Sequence, residues 1–433
     1  MAIHQDLFAY IEKSPTPFHA VAESARRLEQ AGFAALNETE NWSLVPGGKY
    51  YVTRNQSSLI AFVMPQTAGE GWRMSAAHSD SPSFKVKGAS QQAGFTMLNT
   101  EGYGGMIRSA WLDRPLGIAG RVLVKTESGV ESRLVDLGGV SAVIPHLAIH
   151  FDRTVNDGHK YDLKKDMQAI FAGPDKNACY TELLARAAGC TPAEILGTDL
   201  QLYCKDKGQT VGGEAEFLLC PRLDDLGCAW ATLWGFLGAP ASRQGRVWCL
   251  FDNEEVGSGT RQGACGSFLP DVLARAGQAL GENEQDRRRA LANSLLLSAD
   301  NGHAIHPNFA EMSDAASPVK LNGGVVLKFN ASQKYTTNGV TGALFHSLCD
   351  TAKVPVQEYY NRPDLPGGST LGNLLAAQVS VPMADIGLPQ LAMHSSVEMA
   401  AAADVSALVR TCEAWYRAEI CCTADGGYQL ELA

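Results

Sequence analysis

The chain has 433 residues, 45% of them hydrophobic and 19% charged, and carries a formal net charge of −10. That length suggests two or three domains, and the composition excludes wholesale disorder. The acidic balance argues against nucleic acid and anionic membrane surfaces as partners.

The 11 cysteines are scattered and include no CxxC pair, which reads as a reduced, cytoplasmic chain and not a disulfide framework. No signal peptide is visible, and no apolar run approaches the ~20 residues of a membrane span. In chain order, His4 to Lys13 has helical spacing. Ser14-Pro15-Thr16-Pro17 interrupts it, and Thr16 can cap a second helix, Phe18 to about Ala31, with Pro17 at its first position. Strands are predicted at Tyr50–Thr53, Leu59–Met64 and Arg73–Ala77. From about Ala89 to Leu219 the texture changes to short alternating runs between Gly and Asp turns: Gly117–Val124, Arg133–Leu137, Val143–Ile149 and Glu214–Leu219. This predicts a β-rich unit, 89–219, inserted into a layered α/β domain made of 1–88 and 220–433.

The chemistry gathers at the ends of apolar runs. Val247-Trp248-Cys249-Leu250-Phe251 reads as a strand buried on both faces, and Asp252-Asn253-Glu254-Glu255 follows it. In open α/β sheets that edge binds ligands. Arg73–Ala77 leads into His78-Ser79-Asp80, where a nearby carboxylate can hold the second nitrogen of a ligating imidazole. Asp224-Asp225 precede the apolar helix Cys228–Trp234; one is a natural cap, and two are more than a cap needs. Leu295–Ala299 ends in Asp300-Asn301-Gly302-His303. His394 stands ahead of a predicted helix, Val397–Ala402. Two histidines (His78, His394) and three carboxylates (Asp224, Glu255, Asp300), one of them bridging, would suit two Zn²⁺-like ions. Glu254 would remain free to take a proton from water.

The segments HSDSP, RLDDL, DNEEVGS, SADNGHAIHPN and QLAMHSS, in this order, closely resemble the aspartyl aminopeptidase family. SPTPFHAV, IPHLAIH at 144–150 and RPDLPGGSTLG at 362–372 match it as well, so the resemblance spans essentially the whole chain. It implies a three-layer α/β/α di-metal aminopeptidase catalytic domain with an inserted β-rich dimerisation domain. It also implies homodimers assembled into a tetrahedral homododecamer, and release of N-terminal Asp or Glu from peptides. The implied metal ligands are His78, Asp224 as the bridge, Glu255, His394, and Asp300 on the ion of His78 or on its partner. They would hold two Zn²⁺, with Mn²⁺ or Co²⁺ equally suited to these donors. The implied catalytic groups are Glu254 as general base, Asp80 orienting His78, and His150, in preference to His146, reaching a neighbouring subunit's site. Lys328 would meet the acidic substrate side chain, with His303, Gly368 and Ser369 completing the substrate site. Family members often carry Asn after the bridging Asp. Here Asp225 adds a second negative charge. The competing readings are a non-catalytic self-assembling shell or cargo protein, and a related di-metal aminopeptidase of neutral specificity.

Overall fold

In the computed structural model, which describes residues 3–139, 142–173 and 180–432, the chain builds two large sheets. The first has nine strands in the order Ala34–Leu36, Lys49–Arg54, Ser58–Val63, Gly245–Phe251, Trp72–His78, Leu295–Ala299, Met383–Gly387, Val325–Phe329 and Val356–Tyr360. Its middle is parallel: Trp72–His78 lies between Gly245–Phe251 and Leu295–Ala299, running the same way as both. Parallel strands must be covered on both faces. In Gly245–Phe251, Trp248 and Leu250 enter one apolar cluster, while Val247, Cys249 and Phe251 enter another. Helices Ile3–Glu12, Pro17–Gln30, Leu223–Gly238, Gly339–Ala352 and Ala402–Arg417 complete the first cluster; Phe268–Ala279 and Leu371–Gln378 complete the second. The result is the expected three-layer α/β/α arrangement. Gly235 allows Leu223–Gly238 to cross Ala402–Arg417 closely, since a Cβ there would come within 2.5 Å of the Cys412 backbone.

The second sheet is antiparallel, with six strands in the order Gly129–Asp136, Leu116–Thr126, Ile195–Cys204, Ser83–Gln92, Phe95–Tyr103 and Ala169–Ala172. It has its own core of Phe84, Leu98, Trp111, Ile118, Val122 and Leu200, joined by Leu184 of the helix Tyr180–Ala188. The chain leaves the first sheet directly after His78 and starts the second at Ser83. Among the described residues no helix is long and apolar enough to cross a membrane, and the ten described cysteines are free.

Several expectations need correction. Residues 89–219 divide between sheets: Gln209–Val211 and Phe217–Cys220 pair outside the second sheet, in a three-stranded sheet completed by Glu398–Ala401. Val143–Ile149 is not a strand. Ala142 and Ile144 make isolated bridges, and from Pro145 the chain is exposed, because proline has no N–H to extend a ladder. Val397–Ala402 is not a helix. Pairing with Phe217–Cys220 overrides the helix preference of Glu-Met-Ala-Ala, and the helix begins only at Ala402. Thr16 occupies the N-cap position, but its hydroxyl meets His19 Nδ1 at 2.8 Å and caps nothing. Neither Asp224 nor Asp225 caps its helix; both have non-helical backbone angles, and Arg222 stands at the N-cap position.

Candidate metal centre

Three adjacent parallel strands deliver their carboxyl ends to one edge. Trp72–His78 ends on His78 itself, Gly245–Phe251 runs into Glu254 and Glu255, and Leu295–Ala299 runs into Asp300. Asp224 arrives at the start of the helix Leu223–Gly238, and His394 from the loop after Pro389–Gln390. Left-handed residues shape three of these turns: Arg222 (φ 55°), Asn253 (φ 65°) and His394 (φ 66°). His78 Nε2 lies 3.4 Å from Asp224 Oδ1 and 3.9 Å from Asp300 Oδ1. His394 Nε2 lies 3.4 Å from Asp224 Oδ2 and 3.4 Å from Glu255 Oε2. The two oxygens of Asp224 therefore face two different imidazoles. Ligand atoms of His78, Asp224, Asp225 and Asp300 fall within 4.8 Å of one another, as do those of Asp224, Glu255 and His394, and those of His78, Glu254 and Glu255.

Supporting contacts fix these groups. His78 Nδ1 is 3.0 Å from the Asp80 carbonyl and 3.4 Å from its carboxylate. The same carboxylate accepts the Tyr103 hydroxyl (2.6 Å) and the N–H groups of Glu254 (3.1 Å) and Glu255 (3.2 Å). Asp80 thus touches both the imidazole and the Glu254-Glu255 turn. Ser81 donates to the Asp224 carbonyl at 2.7 Å, and His394 Nδ1 is 2.9 Å from the Gly105 carbonyl. Glu398 accepts the backbone N–H of Asp224 at 2.9 Å and that of His394 at 2.8 Å. Sequence reasoning missed Tyr103 and Glu398. The only signal for Glu398 was an acid in an otherwise apolar run just after His394.

The site is electrostatically unbalanced without cations. Burial, reinforced by Asp300, Asp80 and Asp224, pushes the Glu254 carboxyl up to about 8, with His78 opposing. Burial and Asp224 likewise drive Glu255 well above the usual carboxylate range. Burial lifts Asp300 to about 6 against the pull of Lys328. Burial also lifts Asp225, which is turned to accept the His78 N–H at 3.1 Å. Burial favours neutral imidazoles, yet the carboxylates win: His78 is held well above its ordinary range and His394 is raised to about 10. Asp224 Oδ1, Asp225 Oδ1 and Glu255 Oε1 are buried acceptors with no donor. Buried acceptors without donors are costly, and divalent cations are the partners this donor set suits. The residues present fit a metal centre.

The remaining expected residues stand outside these ligand groups. Lys328, 1% exposed, donates Nζ to the carbonyls of Asp300 (2.8 Å) and Asn301 (3.1 Å). Burial disfavours its charge, but Asp300, Tyr335, Asp385 and Cys228 together outweigh it and keep it an ammonium. His303 and Gly368 line a cavity of about 390 Å³ with Tyr359, Tyr360 and Arg362; Lys328 and Ser369 do not. His146 is held by Asp113, Nδ1 to carboxylate 2.6 Å. His150 is exposed in the loop after Pro145 and is not brought to the cluster of its own subunit.

A family model described as aminopeptidase I zinc metalloprotease (M18) matches residues 10–416. The chain belongs to the M18 family, the aspartyl aminopeptidase family, and is a metallo-aminopeptidase. A probable M18 family aminopeptidase 2 of Pseudomonas aeruginosa (strain LESB58) is 42% identical over 424 residues, 96% of this chain and 98% of the relative. The S. cerevisiae mApe1 dodecamer is similar at a TM-score of 0.84 and 30% identity, covering 96% of this chain and 97% of that one. An M18 aminopeptidase of Thermotoga maritima shares the fold at a TM-score of 0.85 and 22% identity, with 96% of each chain covered.

Proposed function

We propose that this M18 enzyme removes N-terminal Asp and Glu from peptides using two metal ions per subunit. The observation that carries the two-ion reading is Asp224, whose two oxygens face the separate imidazoles of His78 and His394. His78 and Asp300 would hold one ion and His394 and Glu255 the other, with Asp224 shared. When bound, such ions polarise the scissile carbonyl and acidify water. Glu254 lies with His78 and Glu255 in one group of ligand atoms within 4.8 Å of one another, and would stay off the ions. It would accept the proton of the attacking water and return it to the leaving amine. Asp80 would hold the Glu254-Glu255 turn in place through both N–H groups. His150, on its exposed loop, would serve the site of a neighbouring subunit and donate to the developing oxyanion. The second sheet would carry the dimer contact. Its exposed apolar residues Val130, Leu134 and Leu196, with Leu147, Ile149 and Phe151 of the Pro145 loop, support that role. A homododecamer and a cytoplasmic location complete the reading.

Acidic specificity would come from the Lys328 ammonium, with His303 and Gly368 on the cavity wall and Ser369 beyond it. One observation favours neutral specificity instead: two of the three Lys328 protons are already given to the Asp300 and Asn301 carbonyls. The test is initial rates on matched Asp-, Glu-, Leu- and Ala-linked chromogenic amides, before and after chelation and metal re-addition. Cleavage of Asp and Glu alone, lost on chelation and restored by metal, is the expected result. Cleavage of Leu or Ala keeps the chemistry and overturns the role of Lys328. No cleavage with any metal puts the self-assembling shell first.

A further inference from the structure

Glu398 opens the strand Glu398–Ala401, four residues after His394, and it is 1% exposed. Its two carboxylate oxygens are divided between two backbone groups. Oε2 accepts the N–H of Asp224 at 2.9 Å, and Oε1 accepts the N–H of His394 at 2.8 Å. Those residues are 170 positions apart in sequence, and their side chains meet at 3.4 Å, imidazole Nε2 to Asp224 Oδ2. One carboxylate therefore clamps the backbones of the shared carboxylate and of the imidazole opposite it.

Both backbones need holding. His394 has φ 66° and Asp224 has non-helical angles inside the first turn of its helix. A non-glycine residue in the left-handed region is unfavourable and persists only where its surroundings dictate it. Pairing of Glu398–Ala401 with Phe217–Cys220 sets Glu398 opposite Cys220, four residues before Asp224. The clamp is thus anchored on the strand that leads into Asp224. We propose that Glu398 is the positioning residue that sets the spacing between Asp224 and His394, and so the affinity of the ion bound on the His394 side. It touches neither substrate nor ion and acts only through the two backbones. The inference rests on the two-ion reading of the site.

Glutamine at 398 keeps the shape but can accept at only one of its two terminal atoms. Its NH₂ group then faces an N–H. Supporting contacts of this kind are worth 10–100-fold in metal affinity. The experiment is competition titration of Zn²⁺ into chelator-stripped wild type and Glu398→Gln, with the absorption of the Co²⁺-loaded proteins recorded in parallel. Expected are two ions in wild type. In the variant the second ion should bind 10–100-fold more weakly with a shifted Co²⁺ spectrum, while the first binds within about threefold of wild type. Millimolar metal should restore most of the lost kcat. Two ions in both proteins with unchanged affinities overturn the clamp and leave the two-ion reading standing. One ion in wild type overturns the two-ion reading itself. Equal weakening of both ions, or a lowered Tm with unchanged affinities, assigns Glu398 a general structural role and also overturns the proposal. If Glu398→Gln does not fold, Glu398→Asp keeps the charge but shortens the reach, and unchanged second-ion affinity there is equally decisive against it.

Discussion

A left-handed Asn253 and the Asp80 carboxylate set the turn that carries the two adjacent glutamates, to which different work is proposed. Glu255 is directed at His394 and Asp224, 3.4 Å from the imidazole, while a carboxylate oxygen of Glu254 lies within 4.8 Å of ligand atoms of His78 and Glu255. A side chain that binds an ion and a side chain that moves a proton are separable by substitution. Replacing Glu254 by Gln removes the proposed proton acceptor and leaves the five proposed ligands in place. General base catalysis contributes roughly 10²–10⁴-fold. Glu254→Gln should therefore lower kcat by about that factor with the same number of bound ions, checked by metal analysis alongside steady-state rates. Near-full activity with full metal content would falsify the role of base.

At the scale of elements, the helix Ala402–Arg417 is tied to the strand Val325–Phe329 through Asp404. This fully buried carboxylate accepts the N–H groups of Asn322 at 2.7 Å and Gly324 at 2.8 Å. Burial raises it to about 6 despite those two bonds. Its folded pKa is above the unfolded value of about 3.9, so the folded state holds this proton more tightly. The contribution is fully favourable below about pH 4 and is lost as pH rises to about 6. Two units correspond to about 3 kcal/mol. Asp404→Asn does not titrate, so the stability difference between wild type and variant should move by about that amount toward the variant between pH 4 and pH 7. Urea melts at the two pH values measure it; a pH-independent difference rejects the assignment. Elements also show what the sequence could and could not reveal. Val247–Phe251 and Leu295–Ala299 were legible because parallel strands buried on both faces leave unbroken apolar runs, and the acids after them stood out by contrast. Glu398–Ala401 was not legible, because its strand state comes from pairing with residues 217–220, a contact no local pattern encodes. With that strand misread, Glu398 could not be placed. The Asp224-Asp225 pair was visible, but the turning of one to His394 and the other to the His78 N–H depends on backbone angles that composition does not record.

At the scale of the molecule, the second sheet is spliced into the metal centre itself. The chain leaves the first sheet through His78-Ser79-Asp80 and returns through Phe217–Cys220 to Asp224, so both junctions carry site residues. Tyr103 of the second sheet closes the circuit by donating to Asp80 at 2.6 Å. Cations bound here would therefore join three strand ends, a helix start and both junctions between the sheets. Without them, buried acceptors on Asp224, Asp225 and Glu255 have no donor and the carboxylates repel. Ligands that bind only the folded state stabilise it by RT ln(1 + [L]/Kd), about 4 kcal/mol per ion at a free concentration 1,000 times Kd. Chelation should accordingly lower the melting temperature, and metal re-addition should restore it with a dependence on free metal that continues above Kd. The loss should appear at both sheets together, because the proposed ions would sit where the sheets are joined. Hydrogen exchange with and without chelator reads this directly: faster exchange at Trp72–His78 and also at Phe95–Tyr103 is expected. Faster exchange confined to the first sheet would mean that the second is stabilised independently of the metal centre.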